Sequence, residues 1–226
     1  MATGRVLVVD DDVTVSDVVR RYLERDGHHV VLAGTGEDAL RLVDADRPDL
    51  VVLDLMLPGI DGVEVCRRLR GAIPVIMLTA LGEEENRIAG LRLGADDYVT
   101  KPFSPRELAL RVQSVLRRAA PRPTARELHD GDLRLDGTAR TATLAGVELA
   151  LTGREFDLLE FLMSHPGEAF TRAELLARVW GWDFGDQSTV TVHVRRLREK
   201  VERVPAAPSR ISTVWGVGYR YDGVDR

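Results

Sequence analysis

The 226-residue sequence is short of cysteine, of long apolar runs and of positive charge, and each shortage removes a class of protein. A single cysteine, Cys66, rules out an internal disulfide and fits a reducing compartment; lying among Val63, Val65 and Leu69, it reads as a buried, inert thiol. No stretch approaches the ~18 consecutive apolar residues of a membrane span. The opening Met1-Ala2-Thr3-Gly4-Arg5 leads straight into a four-residue apolar run that ends in acid, which is neither a signal peptide nor an anchor. The expectation is a cytoplasmic protein with no membrane partner. Basic residues are outnumbered, with 31 Lys+Arg against 36 Asp+Glu and a net charge of −5. Residues 1–118 hold 16 against 20 and residues 119–226 hold 15 against 16, so neither part is a basic domain. A nucleic-acid function would have to rest on local charge.

What is present starts with Leu50-Val51-Val52-Leu53-Asp54, four apolar residues ending in one carboxylate and stopped by Pro58-Gly59. Such a run fits a strand buried on both faces of a parallel sheet, with Asp54 where the strand empties into a loop, the edge at which open α/β sheets bind ligands. Val6-Leu7-Val8-Val9 is a second run of this kind and ends in Asp10-Asp11-Asp12. Adjacent carboxylates repel one another, so stability does not explain them. If the two strands are neighbours, Asp10 and Asp11 meet Asp54, and a hard divalent cation, most simply Mg²⁺, is the natural occupant. Two further runs deliver Thr79 and, beyond Tyr98-Val99-Thr100, Lys101. A nucleophile, a metal site, a hydroxyl and a fixed ammonium are what phosphoryl transfer to a carboxylate requires.

Helical periodicity alternates with these strands five times over residues 5–118, the pattern of a doubly wound parallel sheet. One predicted helix lies near 84–93. The last opens with Ser104-Pro105-Arg106-Glu107, a capping box with proline at the first helical position. These residues resemble the receiver domain of bacterial two-component response regulators. The resemblance implies that Asp54 is the phosphoacceptor, that Asp10, Asp11, Asp54 and the Met56 backbone carbonyl hold Mg²⁺, and that Thr79 and Lys101 bind the phosphoryl oxygens. It further implies that Tyr98 turns inward behind Thr79 as a switch. Met56 and Leu81 are both apolar and offer no group to orient an attacking water, so any self-dephosphorylation should be slow. In the winged-helix subfamily of response regulators, charged residues on this last third pair across a symmetric dimer; Arg87, Asp96, Asp97, Glu107, Arg111 and Arg118 have fitting signs.

Prolines and small residues mark a linker at 119–126 before a second domain at 127–226. Short alternating segments near 133–135, 140–144 and 147–151 predict a small antiparallel sheet. Thr152-Gly153-Arg154-Glu155 and Thr171-Arg172-Ala173-Glu174 are capping boxes that open two helices. A third helix is predicted over 188–203. Its buried stripe is Val190, Val194, Leu197 and Val201, which turns Thr189, Val192, His193 and Arg196 outward, flanked by Arg195, Arg198 and Arg203. Residues 210–221 read as a hairpin, and helix-turn-helix followed by hairpin is the order of a winged helix.

Leu151–Glu155, Thr189–Arg198 and Thr213–Tyr219 extend the resemblance to the OmpR/PhoB family over nearly the whole chain. That family implies DNA contacts by the third helix and by Thr213, Trp215 and Tyr219 of the wing. Two positions depart from well-known members, which carry arginine where this chain has Ser188 and Trp215. The implied protein is a transcription regulator that takes phosphate from a sensor histidine kinase, dimerises, and binds promoter DNA beside RNA polymerase. Its only enzymatic chemistry would be self-phosphorylation from a phosphodonor and slow self-dephosphorylation. A competing chemistry, a metal-dependent phosphohydrolase of the haloacid dehalogenase type, needs a second acid two residues after the nucleophile, and that residue is Met56. A third reading keeps the receiver and makes the second domain a protein-binding module.

Overall fold

The computed structural model describes residues 3–69, 72–80, 95–119, 127–182 and 187–223, with side chains left out at 80 and 117–119. The chain divides into two compact units, Met1–Ala120 and Pro121–Arg226. Residues 120–126 of the expected linker and the helix expected near 84–93 lie outside the described residues.

The first unit runs β1 (Arg5–Val9), α1 (Val13–Arg25), β2 (His29–Ala33), α2 (Gly36–Asp46), β3 (Leu50–Asp54), α3 (Gly62–Leu69), β4 (Val75–Ala80), β5 (Asp97–Lys101) and α4 (Pro105–Ala119). Its five strands are parallel in the order β2-β1-β3-β4-β5, the doubly wound sheet expected from the alternation. All five residues of β3 are buried, which explains the unbroken apolar run. On one face Val6, Val8, Leu50, Val52, Ile76 and Leu78 pack against Val19 and Leu23 of α1 and Leu108 and Val112 of α4. Register places β1 beside β3, Val9 opposite Leu53, so the residues after β1 arrive next to Asp54.

Local chemistry fixes the loops around that edge. Asp12 caps α1, its carboxylate accepting from the Thr14 and Val15 amides at 2.8 and 3.3 Å. This corrects the expectation that none of the three adjacent acids serves stability: the third is a helix cap. Gly62 opens α3 where a Cβ would lie 2.1 Å from the Asp54 carbonyl oxygen, so no other residue lets the chain after β3 fold back this closely.

The second unit begins with an antiparallel sheet of β6 (Glu127–Asp130), β7 (Leu133–Asp136), β8 (Thr141–Leu144) and β9 (Val147–Glu148). Helices α5 (Gly153–Met163) and α6 (Arg172–Leu175) follow, the latter running into a π-helical turn, Leu176–Trp180; then come α7 (Ser188–Val201) and the hairpin β11 (Ile211–Val214) and β12 (Gly218–Tyr221). Both threonine capping boxes form, at Thr152–Glu155 and Thr171–Glu174. A strand not read from the sequence, β10 (Ala169–Thr171), pairs with β12 to make a three-stranded sheet. Phe156, Leu159, Phe170, Trp180, Val190, Val194 and Leu197 share one core, the arrangement of a winged helix.

Candidate functional site

At the carboxyl edge of the parallel sheet the β1, β3 and β5 strands bring three expected residues together. The Lys101 ammonium donates to Asp10 at 2.8 Å and to Asp54 at 2.7 Å. The remaining oxygen of Asp10 accepts from the Asp12 amide at 3.0 Å, and that of Asp54 from the Met56 amide at 3.3 Å. Asp10 and Asp54 are buried, Asp11 is exposed, and one oxygen of each lies within 4.8 Å of the others. Burial pushes the Asp10 carboxyl up, against the pull of Lys101. Burial also works against the charge on Lys101, yet hydrogen bonds to Asp10 and Asp54 prevail and hold its pKa above the usual value. Three carboxylates facing one ammonium leave surplus negative charge in a hard-oxygen donor set, so these residues fit a divalent cation.

The neighbouring hydroxyl supplies a second clue. Thr79 is 1 % exposed, and its Oγ1 has no hydrogen-bond partner among the described residues. A buried hydroxyl left unpaired costs about 1–3 kcal/mol, which a phosphoryl oxygen would recover. Tyr98 is 4 % exposed, so its side chain is buried. Met56 is exposed.

Four of the residues expected to pair across a dimer, Asp96, Asp97, Glu107 and Arg111, have partners within the protomer. The Arg111 guanidinium meets Asp97 at 2.6 Å, both buried, and Glu107 at 2.6 Å on the same helix. Glu107 thus serves Arg111 as well as standing in the first turn of α4. Asp96 is also buried and accepts from the Val75 amide at 2.9 Å, which fixes the start of β4. Asp96 is therefore turned into the fold. Arg87 and the Arg118 side chain lie outside the described residues.

In the second unit the predicted stripe Val190, Val194, Leu197 and Val201 is buried, but the outward face is not the one deduced. Thr189, Val192, His193 and Arg196 are buried too. Two contacts explain it. Arg196 reaches Glu155 at 2.8 Å, and the His193 ring packs edge-on against Trp180 with centroids 5.1 Å apart. Glu155 also receives Lys200 at 2.6 Å and the Thr152 amide at 2.8 Å, so the capping carboxylate of α5 doubles as an anchor for α7. The arc left open carries Ser188, Thr191, Arg195, Arg198 and Glu199. Thr191 was absent from the sequence-derived set; the signal that identifies it is the buried acid at 155, which claims the opposite side of the helix. Arg198 donates to the Ile211 carbonyl and to Thr213 Oγ1, both at 2.9 Å, and lies over the Tyr219 ring. Arg203 and Trp215 are exposed, while Tyr219 is buried.

His193 yields a pH prediction. Its Nδ1 donates to the Thr189 carbonyl at 2.9 Å, and burial, helped by Arg196, pushes the imidazole down to about 4. In the unfolded chain a histidine titrates near 6.5. Between those values the unfolded chain takes up a proton that the fold refuses, so stability is lost as pH falls from about 6.5 to about 4, by about 3 kcal/mol in all. All three tryptophans lie in this unit, so denaturant melts followed by tryptophan fluorescence report on it in the full chain. His193→Gln should flatten the loss; an equal fall in both proteins would assign it to other groups.

A parallel-sheet domain with an acid–lysine pocket, joined to a winged helix, defines a phosphoacceptor coupled to an output domain. Residues 6–113 match the family described as response regulator receiver domain, and residues 146–221 match transcriptional regulatory protein, C terminal. The chain is 46 % identical to transcriptional regulatory protein ResD of Bacillus subtilis, over 96 % of this chain and 95 % of that one. It is 44 % identical to sensory transduction protein RegX3 of Mycolicibacterium smegmatis, over 96 % and 99 % respectively. The crystal structure of response regulator DrrB, a Thermotoga maritima OmpR/PhoB homolog, is 38 % identical, with a TM-score of 0.52 over 98 % of this chain and all of that one. The chain belongs to the OmpR/PhoB-type response regulators, with a receiver domain and a DNA-binding transcriptional-regulatory domain.

Proposed function

We propose that a sensor histidine kinase phosphorylates Asp54 and that the modification controls binding of the winged helix to promoter DNA. The observation that carries this reading is the Lys101 bridge between Asp10 and Asp54 beside the unpaired Thr79 hydroxyl. An Asp54 oxygen attacks the phosphorus of a phosphohistidine; the P–N bond breaks as the P–O bond forms, and the histidine leaves with the electron pair. Lys101 then faces the new phosphoryl oxygens and Thr79 donates to one of them. Asp10, Asp11, Asp54 and the Met56 carbonyl would hold Mg²⁺, which supplies charge neutralisation at those oxygens when bound. With apolar Met56 beside the acceptor, self-dephosphorylation is slow.

The phosphorylated receiver dimerises through a face that includes β5 and α4. The Asp97–Arg111 pair is a fixed part of that face, and Glu107, paired with Arg111 but with 35 % of its side chain exposed, has surface left to meet a partner's cation. On DNA, the open arc of α7 enters the major groove: Ser188 and Thr191 are the candidate base contacts, and Arg195, Arg198 and Arg203 face phosphates. RNA polymerase in the cytoplasm is the downstream partner. Among the described residues no helix is long and apolar enough to cross a membrane.

Selection from random-sequence duplexes tests the DNA reading. Full-length protein treated with Mg²⁺ and a small phosphodonor should enrich a repeated half-site. Failure to enrich any sequence would favour a protein-binding output domain.

A further inference from the structure

On the open arc of α7, Thr191 is exposed, and its hydroxyl stands in a triangle with one residue from α6 and one from β12. Arg172, which opens α6, donates from Nε to Thr191 Oγ1 at 3.1 Å and from Nη2 to the Tyr219 hydroxyl at 3.5 Å. Tyr219 donates in turn to Thr191 Oγ1 at 3.4 Å. The chemistry of the groups sets these directions, because a guanidinium has only donors, and a phenol oxygen that already accepts from it keeps its proton for the next oxygen. Thr191 receives that proton. Arg172 and Arg198 both lie over the Tyr219 ring, 5.1 and 5.6 Å from its centroid, and the ring is buried, so the phenol is held in place from beneath the arc. A threonine hydroxyl offers two lone pairs and one proton. Both lone pairs of Thr191 are filled from within the protein, while its proton has no acceptor among the described residues.

We propose that Arg172 and Tyr219 fix Thr191 as a hydrogen-bond donor, so that α7 selects a base pair presenting an acceptor at this position, such as guanine O6 or N7 or thymine O4, and rejects an exocyclic amine there. This rests on the reading of α7 as the element that enters the major groove. A threonine hydroxyl without such partners can turn to donate or to accept, and so meets either kind of base edge. With its lone pairs filled, it faces the amine of cytosine or adenine proton to proton, and both groups lose their hydrogen bonds to water without gaining a partner. Arg172 and Tyr219 are therefore positioning residues, which set the preference through Thr191 without having to touch a base.

Full-length protein is titrated against a single half-site duplex from the random-sequence selection and against its single-base variants. Thr191→Val keeps the shape and removes the hydroxyl, so it should relax the preference at one base pair and lower affinity for the best site about tenfold. At that pair the wild type should lose affinity when base analogues remove guanine N7, guanine O6 or thymine O4 in turn, for whichever of these acceptors is contacted. Analogues without the amine of cytosine or adenine should bind as well as the parent bases. Tyr219→Phe keeps the ring and frees one lone pair of Thr191, and Arg172→Met frees the other; each should narrow the discrimination against amine-bearing pairs at that one position, the conservative Tyr219→Phe serving if Arg172→Met folds poorly. Thr191→Val with the wild-type preference at every pair, or a wild type that loses affinity with the amine and not with an acceptor, would overturn the inference and leave the DNA reading intact. So would Arg172→Met weakening every variant alike with a salt slope lower by about one, since that is the signature of a phosphate contact. A wild-type protein that binds no selected duplex would overturn the DNA reading and the inference together.

Discussion

Asp54→Asn is expected to abolish the response of the protein to phosphodonors. In sedimentation with Mg²⁺ and beryllofluoride, the wild type should move from monomer towards dimer and the variant should keep one mass. The pocket explains why one atom has so large an effect. Lys101 bridges Asp10 and Asp54, so the amide keeps the shape of the site and one of the two anionic partners while removing the oxygen nucleophile. Phosphorylation brings about −1.5 to −2 charges and three acceptor oxygens to a position already beside an ammonium and an unpaired hydroxyl. A coupling of this kind typically amounts to about 1–3 kcal/mol, or 5–150-fold in an association constant. An equal mass for the wild type with and without donor would sink the dimer mechanism; a mass shift retained by Asp54→Asn would place the acceptor elsewhere.

The receiver was legible because each of its pocket residues follows an apolar run, and a buried strand has one end from which a side chain can leave. Strand order then brings β1 beside β3 and β4 beside β5 whatever the loops do. Asp12 was misread because a run of acids looks like one feature, whereas the backbone turn after β1 gives the third a capping geometry and leaves the first two to the pocket. The strand β10 has three residues, too few for any period, and exists because β12 offers a partner. The pairing of Asp97 with Arg111 was not legible for a different reason. Charge signs are visible in a sequence, but whether Asp97 and Arg111 answer a partner or each other depends on a packing distance between β5 and α4 that no local pattern encodes.

The rotation of α7 shows where periodicity stops being informative, and it leads to the second large effect. The stripe of valines and Leu197 marks one line on the helix, but the buried arc is far wider, because a polar anchor and an aromatic contact extend it to Arg196 and His193. Arg196→Ala should therefore act on stability before it acts on recognition. It removes one cation from Glu155, a carboxylate with no exposed side-chain surface. Breaking a buried pair costs about 3–5 kcal/mol when the other charge is stranded. Lys200 stays 2.6 Å from Glu155, so the low end, about 3 kcal/mol, is expected. Arg195→Ala makes the contrast: its partner Glu199 is 54 % exposed, and removing the pair should change stability by less than about 0.5 kcal/mol. On DNA the order reverses. Arg195→Ala should weaken all sequences alike and lower the salt slope by about one, while Arg196→Ala, measured where it remains folded, should keep the wild-type base preference. Denaturant melts followed by tryptophan emission give the first comparison, and titrations against single-base variants of the selected site give the second. If Arg196→Ala melts like the wild type and relaxes the preference at one base pair, Arg196 leaves Glu155 to read DNA, and the face deduced from the valine stripe is the functional one.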